Sequence, residues 1–162
     1  MSRLASPRKS RGRFDSLEQE TFLSLWRTYD RLRAIEEQVL GEFDLTPQQY
    51  NVLRLLQAAD GELLPTLRLV ERLISRAPDV TRMLDKLEVR GLISRERPPD
   101  NRRTVLVGIT PAGKKLLDTI AEPLRDCHLR QLGHVSADEM RQMIELLRKA
   151  RDPHETEQSP WR

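Results

Sequence analysis

Arginine is the side chain on which the chemistry of this sequence turns. Residues 65–103 hold ten basic and six acidic side chains, and residues 1–13 hold five basic and no acidic ones. Residues 14–64, by contrast, set four basic against ten acidic side chains, and residues 104–162 carry nine of each. A guanidinium offers its donors in a planar fork that grips a phosphate or takes two acceptors on a guanine edge together. The overall charge of +3 is small, but its gathering into a tail and one internal segment is the footprint of a chain of which only part faces phosphate. An ordinary solvated surface has the same composition, so the elements that carry the arginines must decide.

Other chemistries find little support. Cys127 is the single cysteine; it has no CxxC or CxxH partner, and a buried structural thiol is a better reading than an oxidant sensor. His128 and His134 stand six apart, neither i+3 nor i+4, without a nearby carboxylate and histidine cluster, so no zinc site is expected. There is no nucleophile and base pair and no glycine-rich phosphate loop, and the carboxylates scatter over amphipathic helices. An enzyme is not expected, and no cofactor is called for.

At 162 residues, with 38% hydrophobic and 33% charged side chains, the chain suits one soluble compact domain. No apolar run approaches the ~18 residues a membrane span needs, and the basic start of the chain is not followed by the apolar stretch of a secretory signal. A cytoplasmic protein without membrane association is expected, which the lone cysteine suits.

The elements that must position the arginines follow from spacing. Asp15 and Ser16, with Glu18 and Gln19 behind them, open a long amphipathic helix through Phe22, Leu25, Tyr29, Leu32, Ile35 and Val39 to about Gly41. Thr46, Pro47 and Gln49 form the cap, first turn and capping box of a second helix. Asp60-Gly61 marks a turn, and Pro65 opens a short third helix. A fourth runs from about 77 to 90 and stops at Gly91. Its Val80, Met83, Leu84 and Leu87 face the core, while Arg76, Pro78, Asp79, Thr81, Arg82 and Lys86 lie at its exposed start and outer face.

The period then changes to that of strands, 92–97 and 104–109, around Pro98-Pro99-Asp100-Asn101, with Arg95, Arg97, Arg102 and Arg103 crowding the hairpin. Thr110-Pro111 starts a further helix, in which Pro123 is expected to produce a bend, and Ser136 to Glu139 is the capping box of the last one. The fold class is therefore mainly α with a small β-hairpin wing, a winged helix-turn-helix. A helix of this kind fits the major groove and a narrow arginine-rich hairpin reaches the neighbouring minor groove. Double-stranded DNA is the expected partner, with Arg76 and Arg82 as leading base or phosphate contacts. The rival is a winged helix used as a protein-interaction module without operator binding.

Three blocks taken in order resemble the MarR family of bacterial transcriptional regulators: Leu45 to Leu53, Val80 to Ile93, and the wing from Asn101 to Gly113. The resemblance spans about residues 16–150. It implies an obligate homodimer shaped like a triangle, a pseudo-palindromic operator, repression as the commoner habit, and often a small effector molecule that releases DNA. On this pattern residues 1–14 are a basic flexible tail and 15–152 a single winged-helix domain, with 15–42 and 111–152 as dimerisation helices around a DNA-binding head at 45–110. Residues 153–162 are a loose tail.

Apolar stripes without an obvious partner name the dimer candidates as Phe22, Leu25, Leu32, Leu116, Ile120, Leu124, Ile144 and Leu147. Five of the seven aromatic residues lie between 22 and 50; Trp26, Tyr29 and Tyr50 either pack in the core or line the ligand pocket that the family often has there. The basic tail is either loose or adds phosphate contacts. Two departures from the family pattern stand out. Where the family's wing reads Asp-x-Arg, this chain has Asn101-x-Arg103 with Asp100 one position earlier, so Asp100 and Asn101 are the candidates to support Arg103. Val70 and Ile74 occupy positions where helix-turn-helix proteins often use Ala and Gly, which calls for a wider turn before Arg76.

Overall fold

The computed structural model describes residues 14–74, 79–101, 103–155 and 159. It comprises two compact units, residues 1–35 and 36–162. Helix α1 runs Leu17–Gly41, α2 Pro47–Ala58, strand β1 Leu64–Pro65, α3 Thr66–Arg72, α4 Val80–Val89, β2 Ile93–Glu96, β3 Leu106–Ile109, α5 Pro111–Leu132 and α6 Ala137–Arg151, followed by a 3-10 turn at Asp152–His154.

In the first unit the start of α1 is capped as its sequence dictates. The Ser16 hydroxyl accepts the Gln19 N–H at 3.1 Å, and the Gln19 side chain accepts the Asp15 N–H at 2.8 Å. The apolar residues that follow stay in solvent in the single chain: Phe22, Leu25, Trp26 and Tyr29 are all exposed, with the Phe22 and Trp26 rings 6.0 Å apart.

In the second unit the core gathers Leu40, Leu45, Val52, Leu53, Leu56, Leu69, Leu84, Leu87, Val107, Ile120 and Cys127, all buried. Burying an aliphatic side chain of this size contributes about 1.5–3 kcal/mol, so these helices are held by their apolar faces more than by propensity. The caps set where each helix begins. Thr46 and Gln49 exchange the two bonds of a capping box at α2, and Ser136 and Glu139 do so at α6. Thr110 caps α5 by accepting the Gly113 N–H at 3.1 Å, while its own hydroxyl donates to the Gly91 carbonyl at 2.6 Å.

The sheet is three-stranded and antiparallel, in the order β1-β3-β2. The expected hairpin is present as β2 and β3, with Ile93 opposite Ile109 and Glu96 opposite Leu106. The third strand adds to the sequence expectation at Pro65: Leu64–Pro65 pairs with Val107 and Leu106, and Pro65 is also the N-cap from which α3 starts at Thr66. Proline fits there because an edge strand tolerates a residue without a donor.

Two expectations need correction. Ile120 and Leu124, named for dimer contact, are 0% and 3% exposed and fill this chain's own core; an amphipathic stripe on α5 looks alike whether its partner is α2 of the same chain or another molecule. The segment after Arg151 is not loose from the outset, since it makes the 3-10 turn and Arg151 pairs with Glu155 at 3.3 Å. Helix α5 runs unbroken from Pro111 to Leu132 with Pro123 inside it. The basic residues 1–13 lie outside the described residues.

Candidate nucleic-acid interface

Helix α4 is built to show one face and bury the other. Leu84 and Leu87 are 1% and 0% exposed, while Thr81, Arg82, Asp85, Lys86 and Val89 are open to solvent. At its start Asp79 is the N-cap, its carboxylate accepting the Arg82 N–H at 2.9 Å, where negative charge also complements the helix dipole. At its end Gly91 takes φ +67°, its N–H bonds the Glu88 carbonyl at 2.8 Å, and the Leu92 N–H bonds that of Leu87 at 3.0 Å. This paired closure stops a helix cleanly and needs the left-handed conformation that glycine accepts without cost.

Three attachments hold α4 and its surroundings. Arg90, the C-cap, donates to the Asp44 carbonyl at 2.6 Å and the Phe43 carbonyl at 3.0 Å, tying the helix to the corner between α1 and α2. Asn51 on α2 accepts the Ile74 N–H at 3.2 Å, fixing the end of α3. Thr66 binds the Val105 carbonyl through both its N–H and its hydroxyl, seating α3 on the base of the wing. Sequence reasoning missed Asn51 and Arg90 as positioning groups. The available signals were an amide in an otherwise apolar stretch of α2 and an arginine placed beside the glycine stop.

The expected DNA contacts separate into four groups. Thr81, Arg82, Lys86, Arg97 and Arg103 are exposed, and the four basic ones form no ion pair among the described residues. Asp79 is exposed and engaged as the cap. Arg95 is different: its side chain is only 24% exposed and it is held by Asp85 and Glu88 of α4. Arg76, Pro78 and Arg102 lie outside the described residues, as does most of the turn between α3 and α4.

At the wing tip the Asn101 N–H bonds the Pro98 carbonyl and the Thr104 N–H bonds the Asn101 carbonyl, each at 3.1 Å. Asn101 thus shapes the tip through its backbone. Among the described residues, neither its side chain nor that of Asp100 bonds Arg103, so the acidic brace of the family pattern is not formed here.

The aromatic candidates also separate. Tyr50 lines a cleft of about 480 Å³ in the second unit with Arg54, Leu117, His128, Leu132 and Met140, and burial raises its hydroxyl pKa. Trp26 and Tyr29 are exposed on the α1 segment of the first unit. Cys127 is fully buried and burial pushes its thiol pKa up, which opposes reactivity. Among the described residues no three His, Cys, Asp or Glu side chains gather as metal ligands, and no helix is long and apolar enough to cross a membrane.

The model of the MarR family matches residues 45–105, from just before α2 to the residue that precedes β3. Among curated proteins, the HTH-type transcriptional regulator YkoM of Bacillus subtilis (strain 168) is 31% identical over 142 residues, 85% of this chain and 90% of that protein. The crystal structure of a MarR transcription factor from Planctomyces limnophilus is 54% identical, covers 83% of this chain and 98% of its own, and superposes with a TM-score of 0.68. A mutant Escherichia coli MarR, crystallised in complex with operator DNA, shares the fold at a TM-score of 0.72 and 24% identity, over 83% of this chain and 98% of that one. These relatives are regulators and not enzymes. The relatives of 31% and 54% identity cover 85% and 83% of this chain and 90% and 98% of their own, and the chain belongs to the MarR family of transcriptional regulators.

Proposed function

We propose that the protein is a sequence-specific repressor that binds a pseudo-palindromic DNA operator as a homodimer in the cytoplasm and is released by a small molecule. The observation that supports this most is the exposed face of α4, where Thr81, Arg82 and Lys86 project from a helix whose opposite side is locked into the core. Arg97 and Arg103 on the adjoining wing are exposed and form no ion pair among the described residues. A base-reading helix beside a basic hairpin meets the needs of major-groove and minor-groove contact. The operator complex of Escherichia coli MarR, which has this fold, supports the same direction. In a dimer, the two copies of α4 enter successive major grooves about 34 Å apart. The cleft beside Tyr50 and Arg54 is the place where a small apolar molecule with one polar group would seat.

Selection of duplexes from a random pool, followed by mobility shift across salt concentrations, tests the reading. A two-fold-symmetric site bound with steep salt dependence is expected. Recovery of no preferred sequence would leave the fold as a protein-interaction module. On the selected duplex, Arg82→Ala should cost roughly 1–3 kcal/mol and relax preference at central bases, whereas Arg103→Ala should weaken binding mainly through the flanks. Equal losses on every sequence for both variants would remove Arg82 from base reading.

A further inference from the structure

Arg95 shares its arginine-rich hairpin with Arg97, Arg102 and Arg103, yet its surroundings set it apart. On β2 it has the same parity as Ile93, which is 2% exposed, so alternation turns it toward the body of the head and not outward. Its backbone sits mid-strand, opposite the fully buried Val107. On the facing helix, Asp85 and Glu88 are three residues apart and therefore neighbours on one face. The guanidinium spans both: Nη2 lies 2.6 Å from Asp85 Oδ1 and also contacts Glu88 Oε2, to which Nε donates at 2.8 Å. The fork is thus largely committed before any DNA arrives, to two carboxylates that belong to the recognition helix.

We propose that Arg95 is a positioning residue and not a DNA contact: it locks the wing to the recognition helix through Asp85 and Glu88 and so fixes the spacing between the major-groove and minor-groove readers. This rests on the DNA-binding reading above and adds to it a division of labour among the arginines. Asp85 lies on the exposed side of α4 with Arg82 and Val89. Its carboxylate would repel phosphate if left alone, and pairing with Arg95 offsets that charge as well. A bidentate arginine suits such a joint because its planar fork holds direction, which a lysine ammonium does not.

The decisive variant removes the partners and leaves Arg95 in place. D85N/E88Q takes two negative charges away from the DNA face and frees a guanidinium, so if Arg95 were a phosphate contact held back by the carboxylates, binding to the selected duplex would tighten. As a lock, it loses its anchors and binding weakens by roughly ten-fold, within the range seen for coupled neighbours. Three further outcomes are expected. R95Q weakens binding to a similar degree, R95K restores only part of it, and R95Q adds little to the loss already caused by D85N/E88Q.

Footprints should lose protection at the flanks before the centre. Melting curves of the free protein report whether each variant is folded, and a partly exposed ion pair contributes little to global stability. Tighter binding by D85N/E88Q, or additive losses for Arg95 and its partners, overturns the proposal. Failure of the wild-type protein to select any duplex overturns the DNA-binding reading itself, and is a different result.

Discussion

Gly113 shows how a single residue sets the junction between wing and α5. A Cβ placed there would lie 2.3 Å from the Leu92 carbonyl oxygen and 2.8 Å from Ile109 Cγ1. The Leu92 carbonyl is backbone, already accepting the Thr110 N–H at 3.1 Å, and cannot yield as a side-chain end would. Gly113→Ala should therefore destabilise the protein by about 1–3 kcal/mol, read as a drop in Tm of roughly 2–4 °C per kcal/mol. Gly41→Ala, with nothing within 4 Å of the added carbon, should leave Tm unchanged or raise it. Glycine 113 was visible in the sequence as part of the wing block, but its reason was not, because the carbonyl it must avoid lies 21 residues earlier in the chain. Arg95 is the same lesson in another form. Read along the chain it is one of four wing arginines, and only the facing pair of carboxylates on α4 distinguishes it.

Among the elements, helix starts were the most legible, because a cap is a local contract among four residues. Thr46 with Gln49, Thr110 with Pro111, and Ser136 with Glu139 all begin helices where their side chains dictate. What escaped was Leu64–Pro65, a strand of two residues whose existence depends on Leu106 and Val107 some 40 positions away. The cap on α6 carries a pH signature. Glu139 accepts bonds from the Ser136 hydroxyl at 2.6 Å and its backbone N–H at 2.9 Å, and these lower its carboxyl pKa. A depressed folded value gives stability that is full above the unfolded pKa of about 4.3 and lost as pH falls through the folded value. Amide protection in the first turn of α6 should therefore fade below that range, while Glu139→Gln, which caps without titrating, should show a flat profile. A wild-type profile equally flat would show that the cap does not depend on charge.

At the scale of the whole molecule, apolar surface left in water is the strongest statement about assembly. Ile144 and Leu146 on α6 are 62% and 67% exposed, Leu129 on α5 is 62% exposed, and Phe22 on α1 is 60% exposed. A monomer seldom leaves so much apolar surface uncovered, and sedimentation at micromolar concentration should show a dimer. Ile144→Asp should shift it toward folded monomer, whereas Ile120→Asp should unfold the chain, since Ile120 lies in its own core. A wild-type monomer would refute the assembly. The tether at Arg90 acts on this scale too. Two carbonyls at the corner before α2 accept from the Arg90 guanidinium at the trailing end of α4, so within the second unit that corner and the end of α4 are moored to each other across 46 residues of chain. Arg90→Ala would cut that mooring and leave the end of α4 held by its glycine stop and its buried leucines alone.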